Sequence, residues 1–212
     1  MKRLALIGSK DFAEQIQRFA EDSGEYKVVG YFDDFEPKGT IIRSLPVLGG
    51  INDIKSVYDE GYFDCIFLAA GYNNFKFRED TFNKISPLVP FATIISPSAR
   101  FGCKIKLGKG VYIGDDTYVG DDTVIEDNVF IHGTTIIGHN NRIGAHTYIS
   151  GRFNSAGFCS IGKKNFIGIC VIIADHISIT DEVWLGLGCI VAKDIKQSGK
   201  YMSPSAKLYK IE

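Results

Sequence analysis

Histidine is scarce in this 212-residue chain, with four in all. Three of them fall seven apart: His132, His139 and His146. Imidazole titrates near neutrality, so it can take a proton from an attacking amine or alcohol, and three imidazoles can also converge on a metal ion. The segment carrying them repeats every six residues, so a spacing of seven displaces each histidine one step around its own repeat. One shared face does not follow, and no metal is expected. The five cysteines (Cys65, Cys103, Cys159, Cys170 and Cys189) are odd in number and lack CxxC spacing, which argues against a disulfide framework or a zinc finger. Buried, reduced thiols in a cytoplasmic protein are the better reading, and Cys159 and Cys189 fall on the inward phase of the repeat.

A formal net charge of -1 gives no nucleic-acid footprint. The apolar runs Leu4–Ile7 and Cys65–Ala70 are too short for a signal-peptide core or a bilayer span, so no membrane is expected. The elements that position the histidines come in two kinds. In the first half, short apolar runs alternate with helical patterns. Leu4–Ile7, Tyr26–Phe32 and Asp64–Ala70 read as strands, and Asp11–Asp22, Ile51–Glu60 and Asn74–Ile85 as helices, which predicts a small parallel sheet flanked by helices.

From about Ile95 a period of six takes over. Every sixth residue from Ile95 to Val191 is Ile, Leu or Val except Phe101 and Ser155, and glycine commonly follows the anchor. Each hexapeptide then supplies one flat side and one corner of a coil, with the anchor pointing inward and glycine easing the corner. Three hexapeptides make a turn, so residues 18 apart stack at strand spacing, ~4.8 Å.

Several local strings carry a resemblance. Leu6-Ile7-Gly8 opens the first strand, Tyr31-Phe32-Asp33-Asp34 closes the second, and Ile95-Ser96-Pro97-Ser98-Ala99 starts the coil. Ile136-Ile137-Gly138-His139 and Val191-Ala192-Lys193-Asp194-Ile195 complete the set. With the order of parts, these make the chain similar to the bacterial sialic-acid O-acetyltransferase-like family, which includes the N-acetyltransferases of nucleotide-linked 4-amino-6-deoxy sugars. The resemblance implies a Rossmann-like nucleotide-sugar-binding domain over 1–93. Behind it, over 94–212, comes an all-β left-handed parallel β-helix with a C-terminal tail.

It also implies acetyl-CoA as acyl donor, a homotrimer, cytoplasmic bacterial surface-glycan (lipopolysaccharide) biosynthesis, and His139 as general base. The acid that follows the base in the family is here Asn140. Asp121, 18 residues earlier and so at the same phase, is expected to orient the imidazole instead. A second family histidine is replaced by Tyr148, expected at the cofactor. The same matching places Gly157, Ile169 and Leu187, with Gly188 nearby, along the donor, and their separations of 12 and 18 residues are expected to bring them together. Trp184 is a further candidate for stacking on adenine.

The glycine-rich turn after the first strand keeps one glycine, Gly8, beside Lys10, and a lysine there can meet a phosphate. Ligands of open parallel sheets lie beyond the carboxyl ends of the strands. Asp33, Asp34 and Asn73 are therefore the expected contacts to a nucleotide-linked amino sugar. Two other readings remain open at this point: O-acetylation of a sugar, as in sialic-acid acetyltransferases, and a non-catalytic trimeric scaffold with a ligand-sensing α/β domain.

Overall fold

The computed structural model describes residues 1–70 and 74–204. The first part is an α/β unit: β1 (Lys2–Ile7), α1 (Asp11–Asp22), β2 (Tyr26–Phe32), β3 (Ile41–Ile42), β4 (Leu45–Gly49), α2 (Ile54–Asp59), β5 (Cys65–Leu68) and α3 (Phe75–Ile85). The sheet runs in the order β3-β4-β2-β1-β5. All neighbours are parallel except β3, which pairs antiparallel with β4. Leu4, Ala5, Leu6 and Ile7 are all buried, as befits a central strand covered on both faces. The α1 helix turns Ala13, Ile16 and Ala20 onto the sheet. The α3 helix starts where Asn74 Oδ1 accepts the Phe77 N–H at 3.0 Å. The hairpin of β3 and β4 is additional to the strands expected from the sequence.

The rest of the described chain is a left-handed parallel β-helix. Its strands form three sheets of six, five and seven strands. Pairing is parallel and residues 18 apart are partners, as in Tyr118↔Ile136, Val124↔Arg142 and Phe130↔Tyr148. The first face runs from Arg100–Phe101 to Ile190–Val191, the second from Lys106–Leu107 to Ser178–Ile179, and the third from Ile94–Ile95 to Gly199–Tyr201. The anchors Ile113, Val119, Ile125, Ile131, Ile137, Ile143 and Ile149 stack in one apolar core. Ser155 keeps its place in that column because its Oγ accepts the Asn141 side-chain N–H at 2.8 Å. Phe101, at the open end, is exposed. Ile149 is fully buried, so Ile149→Val should lower the unfolding free energy by about 0.5–1.5 kcal/mol in urea titrations.

The corners differ from the sequence expectation in one respect. The glycines after the anchors do not make the turn. Residues two places later do, in left-handed backbone: Asp122 (φ 55), Asn140 (φ 56), Phe158 (φ 57) and His176 (φ 57) on one corner alone. The glycines serve close approach between coils. A Cβ on Gly138 would lie 2.5 Å from the Ala156 carbonyl oxygen, and one on Gly120 would lie 2.7 Å from Gly138.

The third face presents outward a ladder of rings, Tyr112, Phe130, Tyr148, Phe166 and Trp184, with neighbouring centroids 3.8–5.6 Å apart. The α1 helix packs on it through Phe12 against Phe130 (5.0 Å) and Phe19 against Tyr112 (5.1 Å). Trp184, a candidate for adenine stacking, ends the ladder against Phe166 with the Lys200 ammonium 5.5 Å from its ring.

A polar strut joins the two units. Arg78, fully buried, donates to the Ala70 carbonyl at 3.0 Å and to Asn128 Oδ1 at 2.6 Å. Among the described residues no helix is long and apolar enough to cross a membrane.

Candidate functional site

The corner between the first and second faces carries His139. Its Nδ1–H donates to Asn140 Oδ1 at 2.9 Å, which leaves the Nε2 lone pair to act as a base. The ring lies over the backbone of the next coil, where a Cβ on Gly157 would stand 2.8 Å from both Cε1 and Nε2. Gly157 is thus required by the imidazole itself. Gly157→Ala should force the ring aside and reduce turnover at least about tenfold, a shift of ~1.4 kcal/mol in the barrier, with the melting temperature little changed. Activity and thermal scans on one preparation test this.

Asp121 does not orient His139. Its Oδ1 accepts the Cys103 backbone N–H at 2.7 Å, one coil toward the N-terminus, and Asn140 is the partner of the imidazole. The shared phase brings Asp121 to the same corner but spends its carboxylate on the coil backbone. An amide oxygen selects the tautomer as a carboxylate would, without the charge.

The expected donor strip is also divided. Twelve residues are two of the three sides of a coil, so Gly157 and Ile169 lie on different corners. Ile169, Leu187 and Gly188 share the corner between the third and first faces: the Gly188 N–H donates to the Ile169 carbonyl at 2.8 Å, and Leu187 is Ile169's stacking partner one coil on. The two corners border the first face, whose outward side chains Tyr118, Ile136, Ile172 and Ile190 are exposed (38–77%), as are Ile169 and Leu187. Tyr148 is on neither corner. It sits buried in the third-face ladder, with its hydroxyl 2.6 Å from His132 Nε2.

Beyond the carboxyl ends of β1, β2 and β5 lies a crevice of about 550 Å³ lined by Gly8, Ser9, Lys10, Phe12, Asp33 and Asp34, among others. Gly8 has φ +100, and a Cβ there would meet the Ala70 Cβ at 2.8 Å, so the chain can turn here only as glycine. Lys10 is the residue before α1. Asp33 Oδ2 accepts from Ser9 Oγ (2.6 Å) and Ser9 N (3.1 Å), and its Oδ1 accepts from Phe35 N. Asp34 Oδ1 accepts the Ile51 N–H at 2.8 Å. Both carboxylates therefore shape the crevice rim, Asp34 through a backbone donor and Asp33 through backbone donors and the Ser9 hydroxyl. Asn73 lies outside the described residues.

His132 and His146 do not join His139: these three occupy three different corners, and His176 shares the corner of His139 two coils on. His146 Nδ1 accepts the Asn128 side-chain N–H at 2.9 Å beneath Phe82. Burial lowers the pKa of both His132 and His146 below the ordinary 6.5. The unfolded chain then binds more protons, so stability is lost as pH falls from about 6.5 to the depressed folded values. Urea midpoints should fall across that window and fall less in His146→Gln. Of the cysteines, Cys65, Cys159 and Cys189 are buried as expected, whereas Cys103 and Cys170 are exposed, and all five are free.

Comparison with known proteins agrees with this architecture. The PglD N-terminal domain matches residues 3–85, and the bacterial transferase hexapeptide (six repeats) matches residues 116–151. The perosamine N-acetyltransferase of Caulobacter crescentus, solved with CoA and GDP-perosamine, superposes with a TM-score of 0.87 at 21% identity over 100% of this chain and 98% of that one. The acetyltransferase domain of PglB from Neisseria gonorrhoeae, solved with acetyl coenzyme A, gives a TM-score of 0.85 at 22% identity over 95% and 96%. The UDP-3-O-acylglucosamine N-acyltransferase of Herminiimonas arsenicoxydans is 40% identical over 65 residues, 31% of this chain, and the match spans only 19% of that relative. Residues 3–85 thus match the PglD N-terminal domain and residues 116–151 the bacterial transferase hexapeptide, and the chain shares the two-part fold of the Caulobacter crescentus and Neisseria gonorrhoeae structures.

Proposed function

We propose that the protein is an acetyl-CoA-dependent N-acetyltransferase acting on the amine of a nucleotide-linked 4-amino-6-deoxy sugar in bacterial surface-glycan biosynthesis. The observation that carries the reading is the presentation of His139: Nδ1–H held by Asn140, Nε2 bare over Gly157. Support comes from the solved relatives of the same fold, crystallised with CoA and GDP-perosamine or with acetyl coenzyme A.

In the reaction, the amine nitrogen adds to the thioester carbon. His139 Nε2 takes the nitrogen's proton, the C–S bond breaks, and the proton passes to the departing thiolate. Such base catalysis contributes about 10²–10⁴-fold. Residues 1–93 would hold the nucleotide in the crevice at Gly8, Lys10, Asp33 and Asp34, with Asn73 a further candidate contact from the sequence, and residues 94–212 would hold the donor. Tyr148 stays a candidate contact only through the edge it shares with His132.

The active assembly is a homotrimer. Packing first faces around a three-fold axis covers the exposed Tyr118, Ile136, Ile172 and Ile190. It also sets one protomer's His139 and Gly157 beside its partner's strip of Ile169, Leu187 and Gly188. The division of the donor residues between two corners is then a property of a site shared by two subunits.

The test is product analysis after incubation with acetyl-CoA and a panel of uridine-, thymidine- and guanosine-linked 4-amino-6-deoxy sugars and their 4-hydroxy counterparts. Acetyl on nitrogen of one amino sugar is the expected outcome. Acetyl only on the hydroxy sugars would replace the N-transfer reading with O-transfer.

A further inference from the structure

One side chain beside His139 has no part in the mechanism above. The left-handed corner positions stacked along this edge are Lys104, Asp122, Asn140, Phe158 and His176. They are polar except at Phe158. A bulky aromatic side chain is an uncommon choice for left-handed backbone (φ 57). It is also costly to leave in water, yet Phe158 is 50% exposed.

The Phe158 ring is held firmly. Its centroid lies 5.0 Å from that of His139 in an edge-to-face arrangement at 88°. On the other side it stacks on His176 at 4.8 Å and 21°. His176 is itself fixed by Nδ1 donating to Asp175 Oδ2 at 3.0 Å. The result is a rigid apolar wall rising from the catalytic imidazole, with one flank open.

Whatever reacts at Nε2 must come close to this wall. The nucleophile sits about 3 Å from the base, and the carbon it attacks is roughly 3–3.5 Å farther on. Four groups surround that carbon in the transition state. The nitrogen is tethered through the sugar and its nucleotide, the sulfur through the donor's pantetheine arm, and the oxyanion needs a hydrogen-bond donor. The fourth substituent, the acyl chain, has no other anchor and must fit the surface next to the base.

We propose that Phe158 sets the length of the acyl group: its ring, clamped between His139 and His176, accepts a methyl group and blocks longer chains. The inference rests on the reading of the site as an acyl-CoA transferase, and it goes beyond that reading by naming the residue that selects acetyl. Discrimination by one methylene in an apolar pocket is typically about 10–200-fold.

The experiment is calorimetric binding of CoA, acetyl-CoA and butyryl-CoA to the full-length protein, for wild type, Phe158→Ala and Phe158→Asn, since Asn suits the left-handed backbone if Ala disturbs the corner. Wild type should bind butyryl-CoA at least about tenfold more weakly than acetyl-CoA. Both variants should bring the two within about twofold and leave the affinity for CoA itself unchanged. An acetyl-to-butyryl ratio unaltered by either substitution overturns the role of Phe158 while leaving the acyltransferase reading in place. Absence of binding by every CoA species overturns both.

Discussion

In His139→Ala protein, acetyl transfer should slow by about 10²–10⁴-fold with acetyl-CoA affinity almost unchanged. In the proposed mechanism the imidazole touches the reacting proton, not the bulk of either substrate, so its loss belongs in kcat. His139→Gln offers a stricter comparison, because the amide can still donate and accept hydrogen bonds but cannot take up a proton at neutral pH. It should be nearly as slow as His139→Ala. Steady-state kinetics with both substrates varied would separate the two parameters; a rise in KM alone, with kcat intact, would make His139 a binding residue.

The second large effect lies far from the chemistry. Arg78 is fully buried, burial holds its guanidinium down to about 10, and its bonds run to carbonyl oxygens of Leu68, Ala70 and Asn128 and to the Asn128 amide. No carboxylate is among those partners. A buried charge kept by dipoles alone depends heavily on each of them. Asn128 is the critical one, since its amide also serves His146.

Asn128→Gly preserves the left-handed backbone (φ 55) but removes the side chain, and should cost about 3–5 kcal/mol in unfolding free energy. Arg78→Met removes the charge along with its bonds and should cost less, about 1–3 kcal/mol. Urea denaturation of both variants checks the order. A larger loss in Arg78→Met would mean that the unsatisfied carbonyls matter more than the buried cation.

The fold was largely legible because periodicity is local. A repeat of six with Ile, Leu or Val at the anchor leaves few ways to bury the anchors, and the register of 18 follows from three sides per turn. The apolar runs Leu4–Ile7 and Tyr26–Phe32 were readable for the same reason. The β3–β4 hairpin was not. Its turn residues Arg43 (φ 47) and Ser44 (φ 65) adopt left-handed backbone without being glycine or asparagine, and Pro46 lies within β4. Neither turn chemistry nor strand propensity marks it.

At the site, His139 was visible as a rare residue on an outward corner. Its partner is not legible from the stacking rule, which points to Asp121, because the coil backbone occupies that carboxylate and the adjacent amide of Asn140 reaches the ring instead. Within one coil the donor residues divide between two corners because Gly157 and Ile169 are twelve residues apart, a whole number of sides but not a whole turn. Contacts such as Arg78 with Asn128, fifty residues apart, have no local signature in the chain at all.

In the proposed homotrimer two subunits build the site together, with His139 from one and Leu187 from the next. The most direct measurement is thiol release by trimers co-assembled from two inactive proteins, His139→Ala and Leu187→Arg. Each alone should be inactive, the first for want of a base and the second because a charged side chain blocks the donor strip. Mixed trimers should regain activity, since some interfaces then pair an intact His139 with an intact Leu187. No recovery at any mixing ratio, with mixed trimers shown to form, would contradict a reaction centre shared between subunits.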